Sequence, residues 1–200
     1  MNSLQNINHT LIVFEGLDGC GKTTQIKLLY KFLKKRSKVK LLREPGSTKI
    51  GEKIRALLKN QEHVSPLTQL LLFTAARNAL LEKLKHQSWD IILLDRYIYS
   101  TYAYQGQFVD KSVIDQLQQI VDPIKPTCVF LFLHKKRTHI QDQLELTDQD
   151  KVKEIFLQQH DCANSACATN WIIVPNLDIK KTFNFIIKNV ENICKINKKA

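Results

Sequence analysis

Short apolar runs alternate along this chain with longer segments whose apolar residues recur every three or four positions. The runs are Thr10-Leu11-Ile12-Val13-Phe14, Val39-Lys40-Leu41-Leu42, Ile91-Ile92-Leu93-Leu94, Val129-Phe130-Leu131-Phe132-Leu133 and Trp171-Ile172-Ile173-Val174. These read as strands, and Ile91 to Leu94, apolar throughout, predicts one covered on both faces. Between them, helical spacing appears from Lys22 to about Arg36, where Ile26, Leu29, Tyr30 and Leu33 share a face. Further helices are predicted at Thr48 to Asn60, Ser65 to Gln87, Ser112 to Val121 and Ile179 to about Ile196. Ser47 or Thr48 can cap the second helix, and Ser65-Pro66 supplies a cap and a preferred first residue for the third. Neither repeats nor a Gly/Ser-rich linker divides the chain, so a single domain over residues 1–200 is expected.

Alternating strands and helices predict an α/β fold, a parallel sheet with helices on both faces. Ligands bind such sheets at the carboxyl ends of the strands. Those ends are where polar residues interrupt the apolar runs, and they point to one cleft.

The first end is the most specific. Gly16-Leu17-Asp18-Gly19-Cys20-Gly21-Lys22-Thr23, followed by Thr24, fits the phosphate-binding pattern G-x-x-x-x-G-K-[ST]. It stands between a predicted strand and a predicted helix, so its N–H groups and the helix dipole can face a phosphate. Lys22 then reaches the terminal phosphates and Thr23 offers its hydroxyl to Mg²⁺. Asp18 is anomalous, because phosphates repel a carboxylate. It is either a solvated turn residue or a contact to a sugar hydroxyl or cation, and the second reading fits better.

Asp95-Arg96 ends the third run. The carboxylate is placed to complete a Mg²⁺ site, and the guanidinium fork suits a phosphoryl group. Arg43 ends the second run, ahead of a tight turn at Pro45-Gly46. Phe73 and Arg77 share one face of the third helix, where a ring can stack on a base and a guanidinium can bond its edge. Ser100, Thr101, Tyr104 and Gln105 belong to a polar, aromatic stretch where a loop or helix start is expected; such residues suit a base and a sugar.

The formal net charge of +11 favours anionic ligands. The lysines are scattered, and a solvated face and tail explain most of them. With no nucleic-acid motif beside them, nucleic acid is not expected as a partner. Five cysteines without a C-x-x-C pair fit free thiols in a reducing cytosol, and no leader or membrane-length apolar run is evident. A cytoplasmic protein without a membrane partner is the expectation.

Taken together, FEGLDGCGKTT, REPG, LLFTAAR and DRYIYSTYAYQG resemble the thymidylate kinase family in order and spacing, over about Thr10 to Gly106. The resemblance implies a P-loop nucleoside-monophosphate-kinase fold with a five-stranded parallel sheet, a homodimer, and ATP with Mg²⁺. The implied reaction is in-line phosphorylation of dTMP to dTDP. It places Gly16, Leu17, Asp18, Gly19, Cys20, Gly21, Lys22, Thr23 and Thr24 on ATP, and Thr23 and Asp95 on the metal. Asp18 would meet the sugar 3′-hydroxyl, Phe73 would stack on thymine and Arg77 would bond its O4. Arg43 and Arg96 would hold the acceptor phosphate, with Ser100, Thr101, Tyr104 and Gln105 lining the nucleoside site. Lys22, Asp95 and Arg96 would serve catalysis.

One departure concerns charge neutralisation. Some members carry an arginine inside the phosphate loop, where this chain has Gly19 or Cys20; others supply arginines from a lid after the fourth strand. Here that region, about 134–150, looks short and holds one arginine, Arg137, with Lys135, Lys136 and Lys151 as lesser candidates. Arg137 is therefore the fourth expected catalytic residue. Phosphorylation of another nucleoside monophosphate such as dUMP, or nucleotide binding with weak catalysis, remains open at this point.

Overall fold

The computed structural model describes residues 10–60, 64–134, 148–165 and 169–194. The strands β1 (Thr10–Gly16), β2 (Val39–Arg43), β3 (Ile91–Asp95), β4 (Cys128–Phe132) and β5 (Asn170–Ile173) form one parallel sheet, in the order β2-β3-β1-β4-β5. The helices are α1 (Lys22–Leu33), α2 (Lys49–Asn60), α3 (Pro66–Lys85), α4 (Ile98–Tyr104), α5 (Lys111–Val121), α6 (Gln149–Ser165) and α7 (Ile179–Cys194). It is the five-stranded parallel sheet flanked by helices that the sequence resemblance implies.

Strand alternation divides the core in two. Leu11, Val13, Ile92, Leu94, Val129 and Leu131 pack against Leu80 and Leu84 of α3, Ala103 of α4 and Phe156 of α6. Ile12, Phe14, Leu93 and Phe130 pack on the other face, against Ile26 and Leu29 of α1 and Ile186 and Val190 of α7. Each such buried Val, Leu, Ile or Phe contributes roughly 1.5–3 kcal/mol against its entropy cost. The central strands β1, β3 and β4 are covered on both faces and show continuous apolar runs, whereas the outer strands β2 and β5 stay partly exposed.

The chain leaves β1 towards β2 on one side and β4 towards β5 on the other, so the topological switch falls at β1. The register pairs Phe14 with Asp95 and Gly16 with Phe132, which aligns the carboxyl ends beneath one cleft. At Gly16, with φ +131°, a Cβ would stand 1.9 Å from Phe132 O. Only glycine lets the chain turn there against β4.

The predicted strands agree with the observed ones to within two residues. Ser65 caps α3, its hydroxyl accepting the Thr68 N–H at 3.2 Å, with Pro66 first in the helix. Thr48 rather than Ser47 tops α2, accepting the Gly51 N–H at 2.9 Å. Helix α6 is absent from the sequence expectations. Asp148 starts it by accepting the Asp150 and Lys151 N–H groups at 2.9 and 3.3 Å, and Val152 and Phe156 anchor it in the core. Most of the expected lid, including Lys135, Lys136 and Arg137, lies outside the described residues, as does the chain beyond Cys194. No described helix is long and apolar enough to cross a membrane.

Candidate active site

A cleft of about 910 Å³ opens over the carboxyl ends of the strands. One wall is the glycine loop from Asp18 to Thr24, and the opposite wall comes from β2, α3 and α4. Gly21 at φ +93° turns the loop into α1, with no atom within 4 Å of where a Cβ would sit. The glycine there serves backbone conformation rather than space.

Lys22 is buried, and its ammonium donates to Gly16 O at 2.9 Å and Leu17 O at 2.5 Å. Burial and the nearby Arg96 guanidinium both lower its pKa. An anion reaching the loop would stabilise the ammonium against both effects.

Thr23, the next residue, donates from Oγ1 to Asp95 Oδ2 at 3.0 Å. That bond joins the start of α1 to the end of β3. A hydroxyl and a carboxylate oxygen so close form a hard-oxygen pair suited to Mg²⁺, which takes few protein ligands and fills its octahedron with water and phosphate oxygens. Among the described residues there is no larger cluster of metal-ligating side chains.

Arg96 is the hub. It sits at φ +67°, a left-handed conformation that costs a non-glycine residue about 1–3 kcal/mol. Its Nη2 donates to Asp18 Oδ1 at 2.5 Å and to Tyr104 Oη at 3.3 Å, while Nη1 donates to Ser100 Oγ at 2.9 Å. The guanidinium carbon lies 5.0 Å from the Tyr104 ring centroid. Tyr104 Oη in turn donates to Asp18 Oδ2 at 3.2 Å. Burial alone would raise the Asp18 pKa, but the Arg96 and Lys22 cations outweigh it and hold the carboxyl below its usual range. Asp18 thus sets a carboxylate paired with Arg96 and Tyr104 at the loop's mouth.

Deeper in the cleft, Arg77 is 2 % exposed. Its Nε donates to Glu44 Oε2 at 2.9 Å, Nη2 to Thr101 Oγ1 at 2.9 Å and Nη1 to Gln118 Oε1 at 3.2 Å. Burial raises the Glu44 pKa, and Arg77 opposes that rise. Phe73 lines the same wall, one helical turn before Arg77. Gln105 donates to Gln69 Oε1 at 3.3 Å. The Arg43-Glu44-Pro45-Gly46 turn is held by Ser47, whose hydroxyl accepts the Arg43 N–H at 2.9 Å.

The structure therefore gathers Asp18, Gly19, Cys20, Gly21, Lys22, Thr23, Thr24, Arg43, Phe73, Arg77, Asp95, Arg96, Ser100, Thr101, Tyr104 and Gln105 around one cleft. Gly16 and Leu17 underlie the loop and meet Lys22 through their carbonyls. Sequence reasoning assigned no role to Glu44, Arg55, Lys59 and Tyr97, which also line it. Arg55 and Lys59 are four apart, a helical-face signal readable in advance; Glu44 carried no comparable cue.

The thymidylate kinase family model matches residues 14–186. A thymidylate kinase of Sulfurihydrogenibium sp. is 39% identical over 198 residues, covering 90% of this chain and 96% of its own. One from Dehalococcoides mccartyi is 52% identical over 101 residues, 48% of this chain; there the chain spans about half the relative's length, 49%. The crystal structure of thymidylate kinase from Ehrlichia chaffeensis superposes with a TM-score of 0.72 at 33% identity, covering 92% of this chain and 99% of that one. With a family match over most of its length and the fold to go with it, the chain belongs to the thymidylate kinase family of nucleoside monophosphate kinases.

Proposed function

We propose that this protein transfers the γ-phosphoryl group of ATP to dTMP, giving dTDP and ADP, with Mg²⁺ bound. The observation that carries the reading is the Arg96 hub, which ties Asp18 on the phosphate loop to Ser100 and Tyr104 on the nucleoside side. Donor and acceptor walls meet at one guanidinium.

In this reading the loop N–H groups and Lys22 hold the ATP phosphates, and Thr23 and Asp95 hold the metal. Bound Mg²⁺ supplies charge neutralisation at the β- and γ-phosphates. Arg96 and Arg43 bind the acceptor phosphate, one of whose oxygens bonds to the γ-phosphorus as the bond to the β–γ bridging oxygen breaks. Catalysis comes from alignment and electrostatics, with no covalent enzyme intermediate. Phe73 faces the base and Asp18 accepts from the sugar 3′-hydroxyl. Arg77, already engaged by Glu44, Thr101 and Gln118, keeps part of its fork for the base edge. Arg137 serves as the cation on the transferring phosphoryl.

A homodimer is supported by Leu67 and Leu71, exposed apolar residues four apart on α3. A cytoplasmic setting is supported by the free thiols of Cys20 and Cys162. The test of the reaction is a coupled ADP-release assay across dTMP, dUMP, dCMP, dGMP and thymidine. The reading expects the highest kcat/KM with dTMP. Preference for another acceptor would reassign the substrate, and tight ATP and dTMP binding without ADP release would make this a binding protein.

A further inference from the structure

Glu15 is a carboxylate in the wrong place for a core strand. It is 0 % exposed, next to last in β1, on the face that α4 covers. An unpaired buried carboxylate costs several kcal/mol, so its partners explain why it is there. Its Oε1 accepts the Tyr97 N–H at 2.8 Å and the Ser100 N–H at 3.1 Å, and its Oε2 accepts the Ser100 hydroxyl at 2.5 Å. These are N-terminal donors of α4, and no side chain of α4's own cap residue satisfies them. The cap comes from β1 instead.

The consequence falls on Arg96. Its own N–H bonds Phe14 O at 3.0 Å, and the next N–H, that of Tyr97, bonds Glu15. Two successive residues of β1 therefore pin the backbone on both sides of the left-handed Arg96. The side chain is pinned as well, because the Ser100 hydroxyl that donates to Glu15 also accepts from Arg96 Nη1. Removing the carboxylate would free the strained φ and turn the hydroxyl loose.

We propose that Glu15 is the positioning residue for Arg96: from beneath the cleft it fixes the backbone and the guanidinium on which the acceptor phosphate docks. This rests on the acceptor role given to Arg96 above. It predicts damage concentrated on the acceptor side: among the hydrogen bonds described, the network meets the phosphate loop only at Asp18, read above as the sugar contact, while Lys22 bonds the Gly16 and Leu17 carbonyls.

The test compares wild type with Glu15→Gln, which keeps the shape and replaces one acceptor oxygen by a donor. Steady-state kinetics should show KM for dTMP raised tenfold or more while KM for ATP stays within twofold. Urea unfolding of wild type, Glu15→Gln, Arg96→Ala and the double variant gives a second readout that requires no turnover. Non-additive midpoints are expected, because the two side chains meet through Ser100. Unchanged KM values, or KM values for ATP and dTMP that rise together, would overturn the proposal. If a different monophosphate is the acceptor, the dTMP reading fails while the same comparison on that acceptor still decides Glu15. If none is phosphorylated, the unfolding cycle decides it, and additive midpoints overturn it.

Discussion

Thr23 and Asp95 lie 72 residues apart in the chain, yet the Thr23 hydroxyl donates to the Asp95 carboxylate at 3.0 Å. The contact exists because the parallel register sets Phe14 opposite Asp95, so the loop after β1 folds over the end of β3. If this pair holds the metal, Asp95→Asn should lower kcat by roughly 10²-fold, the scale for losing one pre-organised electrostatic group. Rates measured against Mg²⁺ concentration should also show a raised requirement. An unchanged Mg²⁺ dependence would move the metal elsewhere.

The Arg77–Glu44 pair makes a prediction about stability. Both side chains are buried, so losing one leaves the other charge without its counterion. Glu44→Gln should destabilise the fold by about 3 kcal/mol, read from the urea midpoint. A change below 1 kcal/mol would mean that Thr101 and Gln118 suffice to hold the guanidinium.

Glu15 gives a pH signature. Burial pushes its carboxyl from the ordinary 4.5 up to about 7, with Arg96 opposing the rise. Below 4.5 the group is neutral folded and unfolded, and its full contribution is present. As pH rises towards 7 the unfolded carboxyl ionises first, so the folded state loses on the order of 3 kcal/mol. Urea unfolding of wild type and Glu15→Gln at several pH values should show wild type losing this much relative to the variant. A constant difference would contradict the raised pKa.

Arg137 is the remaining arginine after Arg96. If it neutralises the transferring phosphoryl, Arg137→Ala should cut kcat for dTMP by roughly 10³-fold with KM nearly unchanged. An unaltered turnover number would remove it from the reaction.

What could be read beforehand follows the range of each signal. The strands and the Ser65 cap are local patterns that stand as read, and the glycine loop lies between strand and helix as expected. Phe73 and Arg77 were placed by helical spacing alone. The partners of Arg77 were out of reach, because Glu44, Thr101 and Gln118 lie 33, 24 and 41 positions away. Glu15 was hidden for the same reason: in sequence it ends an apolar run, and only the neighbouring strand brings α4 above it. Helix α6 escaped because Val152, Ile155 and Phe156 form a short apolar stripe in a polar stretch.

The central proposal is that the protein passes the γ-phosphoryl group of ATP directly to dTMP. The most direct measurement incubates the protein with Mg²⁺, dTMP and ATP labelled on the γ-phosphate, then separates the products. The account predicts label in dTDP, one equivalent for each ADP formed. Label released as inorganic phosphate, or retained in ATP while dTMP is bound, would contradict it.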